Sequence, residues 1–230
     1  MENLHMFSIG LILFSIPFTI ISHLILLNTP LTALGIGMLI LGVSILLTPI
    51  NPIPSSTVRS LLEGSVLSLE AILEGFNTSS KGYYILHDDG RVYVYIPLTG
   101  QFKPPTSKTP PKSIFVEDGE AVYLVLPPPA SELARFEGIS DMNVEDAISH
   151  ILVDVAELTS SVNIATSEGI VLELKGLRSH VAAGRFRRVF GSLEASIAAC
   201  IAASILKRPI YVESEFEEED LKRITIKPYG

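Results

Sequence analysis

The residues best suited to chemistry are the basic groups Arg178, His180, Arg185, Arg187 and Arg188, interleaved with Phe186, Val189 and Phe190 and followed at once by Gly191-Ser192. A Gly-Ser step opening an apolar helix presents free backbone N–H groups, and nearby cations strengthen their field. Arg178, Arg185, Arg187, Arg188, Gly191 and Ser192 could therefore hold a small anion. Cations alternating with aromatic groups also suit the anionic headgroups of a bilayer, at roughly 1 kcal/mol per basic residue close to the surface. A third reading pairs the arginines with the acidic run Glu213, Glu215, Glu217, Glu218, Glu219 and Asp220. All three readings stay open at the level of sequence.

The acidic run has oxygens enough for a divalent cation but lacks the Gly-turned spacing of a calcium loop, so a hairpin tip in water is expected there. Tyr93 and Tyr95 share one face of a strand, opposite Val92, Val94 and Ile96. They could meet a protein partner, although the wet side of a sheet is the favoured reading, because aromatics are ordinary strand residues. Cys200 lies in an apolar helix, where a thiol is inert and has no second cysteine to join. His87, His150 and His180 lack ligand spacing, and Glu63 and Glu70, two turns apart on one helix, read as a solvated stripe. No nucleophile, metal or dinucleotide signature is present, so no catalytic residue, metal or cofactor is expected.

These groups must be carried by helices and hairpins whose limits the pattern sets. A helix is expected from Ser56 or Thr57 to Gly75, using Val58, Leu61, Leu62, Leu69, Ile72, Leu73 and Phe76, with a close contact or break at Gly64. Tyr83 to Leu86 and Val92 to Ile96 flank His87-Asp88-Asp89-Gly90-Arg91, a hairpin signal. Gln101 to Lys112 reads as an exposed loop, and a second hairpin pairs Ser113 to Val116 with Ala121 to Leu126. Beyond Pro127-Pro128-Pro129, a short helix over Ser131 to Phe136 precedes one capped by Asn143 and running through Val144, Ile148, Ile151, Leu152 and Leu158. Val162 to Thr166 with Ile170 to Leu174, and Ile210 to Phe216 with Arg223 to Lys227, make two more hairpins around the helix Leu193 to Leu206. That helix is apolar nearly all round and belongs at the centre of the domain.

Upstream of all this stand two apolar segments, Met6 to Leu27 and Leu31 to Ile50, with no Lys, Arg, Asp or Glu and only Asn28-Thr29-Pro30 between them. Each reaches the roughly 20 residues needed to cross a bilayer, so the pair reads as a two-span hairpin. His23 sits near enough to the turn to reach the interface, and Gly35, Gly37, Gly42 and Ser44 form a small-residue stripe for Ser15 and Pro17. The lipid bilayer is thus the first expected partner, in a cell membrane. Arg59 follows the second span and the turn is uncharged, which places the rest of the chain on the cytoplasmic side. The sequon Asn77-Thr78-Ser79 points mildly the other way.

All 17 cations and 24 of the 25 acids lie beyond the apolar segments, leaving that part about −7, a balance that argues against nucleic acid as partner. The expected class is α+β: residues 1–54 a membrane hairpin and linker, residues 55–230 antiparallel hairpins packed on helices, divisible near 127–140. Leu61 to Leu73 leading into a tyrosine-rich hairpin, and Ser192 to Val212 with Lys207-Arg208-Pro209-Ile210, resemble a group of uncharacterised archaeal membrane proteins with this layout. The resemblance implies an archaeal cell membrane and carries no activity. The function expected is a membrane-anchored binding or scaffold module, such as an accessory subunit. The alternatives are a membrane-bound enzyme or a small-anion sensor whose site converges only in three dimensions.

Overall fold

The computed structural model describes residues 2–47, 54–99, 103–105, 109–129, 131–135, 139, 142–167, 169–179, 181, 183–218 and 221–230. His180, Phe136, Ser107, Glu219, Asp220 and the linker residues 51–53 lie outside that set. The chain divides into two units, Met1–Pro52 and Ile53–Gly230.

In the first unit α1 (Glu2–Leu24) packs against α2 (Thr29–Leu47). The Asn28 side chain accepts the Leu31 N–H at 3.2 Å, so the second helix starts before Leu31, with Pro30 in the first turn where its missing N–H costs nothing. Ser8, Ser15 and Ser22 are buried at seven-residue spacing, as are Gly35 and Gly42 on the facing helix. A Cβ on Gly42 would meet Ile12 Cγ1 at 2.7 Å, and one on Gly35 would collide with Thr19 Oγ1, so small residues set the approach. The expected stripe is corrected in part: Pro17, Gly37 and Ser44 face outward, because seven-residue spacing selects one side of each helix. Met6–Leu24 and Thr29–Leu47 are long and apolar enough to cross a membrane, and Phe14, Ile20, Leu34 and Ile40 are exposed on their outer surface.

In the second unit eight strands form one antiparallel sheet: β1 (Tyr83–Leu86), β2 (Val92–Thr99), β3 (Phe115–Asp118), β4 (Ala121–Leu126), β5 (Ser161–Thr166), β6 (Ile170–Lys175), β7 (Ile210–Glu218) and β8 (Leu221–Pro228). Their order is β3-β4-β2-β1-β7-β8-β6-β5, with β1–β2, β3–β4, β5–β6 and β7–β8 each a hairpin. One face carries α3 (Ser55–Gly75), α4 (Val144–Ser149), α5 (Gly184–Val189) and α6 (Leu193–Leu206). Every residue from Leu193 to Ala203 is buried, as the all-round apolar pattern demands. Tyr84 ties sheet to helix, its hydroxyl donating to Phe190 O at 2.7 Å and lying 2.9 Å from Ser196 Oγ.

Several expectations are revised by the packing. Helix α3 runs unbroken through Gly64, which has open space beside it, and buries Leu62, Val66, Leu69 and Leu73 while Leu61, Ile72 and Phe76 face outward. The helix capped by Asn143 is α-helical only to Ser149 and continues as a π-helix over His150–Val155, with Ala156 N–H bonding to Ile151 O. Ser131 to Arg135 holds only a 3-10 turn, Leu133–Arg135. In the described part of the 101–112 loop, Pro105 is buried and Lys103 O accepts the Tyr123 hydroxyl at 2.7 Å.

The sheet face away from the helices is not simply wet. Tyr83, Ile85, Tyr95, Ala121, Tyr123 and Val125 form a second buried cluster, with Tyr93 and Tyr211 partly covered beside it. His87 stacks on Tyr95 with ring centroids 5.5 Å apart, and burial raises the Tyr95 hydroxyl to a pKa of about 12.

Candidate functional site

The site is built where α5, the start of α6 and the β7–β8 hairpin meet. Phe186 and Val189 are buried on one side of α5, which turns Arg187 and Arg188 outward. The middle of the basic segment is therefore a short helix, held by an acid that looked solvent-facing: Glu70 on α3 accepts the N–H groups of Arg185 and Phe186 at 3.0 and 2.5 Å. Bonds to a charged acceptor of this kind contribute about 1.5–3 kcal/mol each. The chain leaves α5 through Gly191 at φ +84°, where a Cβ would lie 2.7 Å from Glu215 Oε1, so only glycine fits comfortably. Ser192 then caps α6.

Strand β7 carries an irregularity between Val212 and Ser214. Strict alternation from Ile210 and Val212 would point Ser214 and Phe216 at the helices and send Glu215 and Glu217 to the opposite side. The extra residue reverses that order: Glu215 and Glu217 pair across the ladder with Ile224 and Lys222, while Phe216 is exposed. Three carboxylates and two cations converge as a result. Glu215 Oε1 accepts the Ser192 N–H at 2.6 Å, and its other oxygen accepts from Arg187 Nε at 3.3 Å. Arg187 Nη2 donates to Glu217 at 2.9 Å. Lys222 Nζ donates to Glu194 Oε2 at 2.8 Å, with side chains only 6% and 2% exposed.

Beside these pairs opens a cleft of about 250 Å³. Val66, Val181, Ala183, Phe186 and Leu193 form its apolar lining, and Ser179, Arg187, Ser192, Glu194, Glu217 and Lys222 its polar lining. Arg187 also borders a second hollow of about 310 Å³, shared with Lys81, Arg188, Gly191 and Glu213. Among the described residues no group of His, Cys, Asp and Glu could hold a metal ion. Cys200 is fully buried and burial pushes its thiol pKa far up, so it offers no thiolate.

The basic residues singled out from sequence are thus dispersed. Arg187 and Ser192 line the cleft, and Arg188 and Gly191 line the adjoining hollow. Arg178 pairs with Glu157 at 3.0 Å, and Arg185 lies half-buried beside its bond to Glu70. The place for an anion next to Gly191 is filled by Glu215 from the chain itself. Tyr95 is buried and Tyr93 half-buried, its hydroxyl 3.1 Å from Asp89. Sequence reasoning missed Glu194, Lys222 and the inward turn of Glu217. One signal was present: an acid in the first turn of the most apolar helix needs a buried partner.

No family model matches the chain, nor does any curated protein or solved structure. The class is therefore defined by the architecture alone: an α+β domain on one antiparallel sheet, preceded by two helices long and apolar enough to cross a membrane.

Proposed function

We propose that this chain is a membrane-anchored binding module, with α1 and α2 spanning the bilayer and the cleft beside α6 receiving a small molecule. The observation that carries this reading is the cleft, where Lys222, Arg187 and Glu217 converge over an apolar floor. Such a combination of apolar walls with a few placed polar groups is what small-ligand sites share. Its charged groups are held in ion pairs with one another, an arrangement that favours gripping a ligand over activating a nucleophile. The basic segment supports headgroup contact less well, since Arg178 and Arg187 already face acids. Kinship with archaeal membrane proteins rests on the two motifs that end in the tyrosine-rich hairpin and at Val212.

The test is thermal unfolding of the full chain in nanodiscs against a panel of small acids, amines, zwitterions and sugars. A ligand at 100 times its Kd stabilises by about 2.7 kcal/mol. At about 2–4 °C per kcal/mol for a domain of this size, the expected rise is roughly 5–10 °C. A Ser179→Trp variant, which fills the cleft, should show no rise. No response from any compound, or the same response in the variant, would remove the cleft from consideration.

The orientation proposed is cytoplasmic, because Arg59 follows the second span and the turn carries no charge. In intact cells an impermeant thiol reagent should label Thr29→Cys at the start of α2 and leave Asp88→Cys untouched. Native Cys200 is silent because it is buried. Labelling of Asp88→Cys alone would reverse the topology.

A further inference from the structure

We propose that the cleft selects a small zwitterion, an α-amino acid with an apolar side chain, whose ammonium is taken by Glu217 and whose carboxylate is taken by Lys222. This rests on the reading of the cleft as a ligand site and adds the chemistry of the ligand. The argument is one of spare bonding capacity. Lys222 has three N–H donors, and among the described residues Glu194 is its one side-chain partner, so two donors remain at the cleft wall. Arg187 has two carboxylate partners. Glu215 is fixed by the Ser192 N–H and only 8% exposed, so Arg187 stays paired if Glu217, 43% exposed, turns to a ligand.

The spare ammonium and the spare carboxylate are neighbours. Glu217 and Lys222 are directly opposed in the β7–β8 ladder, which places their Cβ atoms about 4.5–5.5 Å apart on one face of the sheet. An α-amino acid carries its two charges on one carbon and needs an acceptor and a donor of opposite sign side by side. The side chains lining the cleft, Arg187, Lys222, Glu194 and Glu217, balance in charge, and Glu215 beside Arg187 gives the surrounding cluster an excess of carboxylate, so a ligand that brings an ammonium with its carboxylate is received better than a bare carboxylate. Val66, Val181 and Phe186 are left to cover its side chain.

The experiment is calorimetric titration of the full chain in phosphatidylglycerol nanodiscs, whose lipid has no zwitterionic headgroup. The probes are L-leucine and L-phenylalanine, with 4-methylpentanoate and 3-methylbutylamine as analogues keeping one charge each. The amino acids should bind at least tenfold more tightly than either analogue. Glu217→Gln, at a half-exposed position, should weaken leucine at least tenfold and should not weaken 4-methylpentanoate. Equal binding of leucine and 4-methylpentanoate would overturn the zwitterion and leave a carboxylate site in its place. Failure of all four probes, with a panel compound of another class still stabilising the chain, would overturn the amino acid while keeping the cleft. Failure of every compound would overturn both.

Discussion

Ala199→Glu is expected to abolish the cooperative unfolding transition of the sheet domain. Ala199 is fully buried in α6, and the residues on every side of that helix from Leu193 to Ala203 are buried with it. A new carboxylate there would find no water and no cation. Leaving a buried charge unpaired costs about 3–5 kcal/mol, a large part of the 5–15 kcal/mol that a whole domain has. Overpacking beside the sheet adds to the loss. Leu206→Glu at the exposed end of the same helix should stay within about 0.5 kcal/mol and serves as the control. Circular dichroism of the full chain with limited proteolysis reads both. An unchanged melting temperature for Ala199→Glu would make α6 peripheral. The result also bears on placement, because Gly184–Leu206 is long and apolar enough to cross a membrane, yet most of it is buried within the domain. The break at Gly191 separates that stretch into two helices.

The second large effect is at the buried ion pair. Lys222→Met leaves Glu194 with its charge and without the cation that pairs with it among the described residues, in surroundings where both side chains are almost wholly covered. The expected cost is about 3–5 kcal/mol, while the double variant Lys222→Met/Glu194→Met should recover most of it, because replacing both partners by apolar groups is often neutral or better. Chemical denaturation of wild type, both single variants and the double variant closes the cycle. A cost below about 1 kcal/mol for Lys222→Met would mean that the pair behaves as a solvated one. The double variant should fold and lose ligand binding, which separates the pair's part in stability from its part in the cleft.

The limits of legibility can be seen at particular residues. The hairpin at His87 to Arg91, the Asn143 cap and the burial of α6 were readable because each depends on neighbours within a turn or two. The burial of Tyr95 was not, since alternation assigns it a face without saying what covers that face. Glu70 looked like part of a solvated stripe because its partners, Arg185 and Phe186, lie 115 and 116 residues away. The π-helical turn after Ser149 keeps Ile151 and Leu152 buried, so the apolar period that announced the helix did not reveal it.

By itself the sequence determined two uncharged apolar segments able to cross a membrane and a domain of hairpins around one apolar helix, because hydrophobic period and segment length are local quantities. The tertiary structure alone decided the cleft. One extra residue near Glu213 reverses the facing of all that follows on β7, bringing Glu215 and Glu217 under Arg187 and beside Lys222 while Phe216 turns outward. A shift of one residue leaves composition and period almost untouched and exchanges every side chain between the two faces of a sheet.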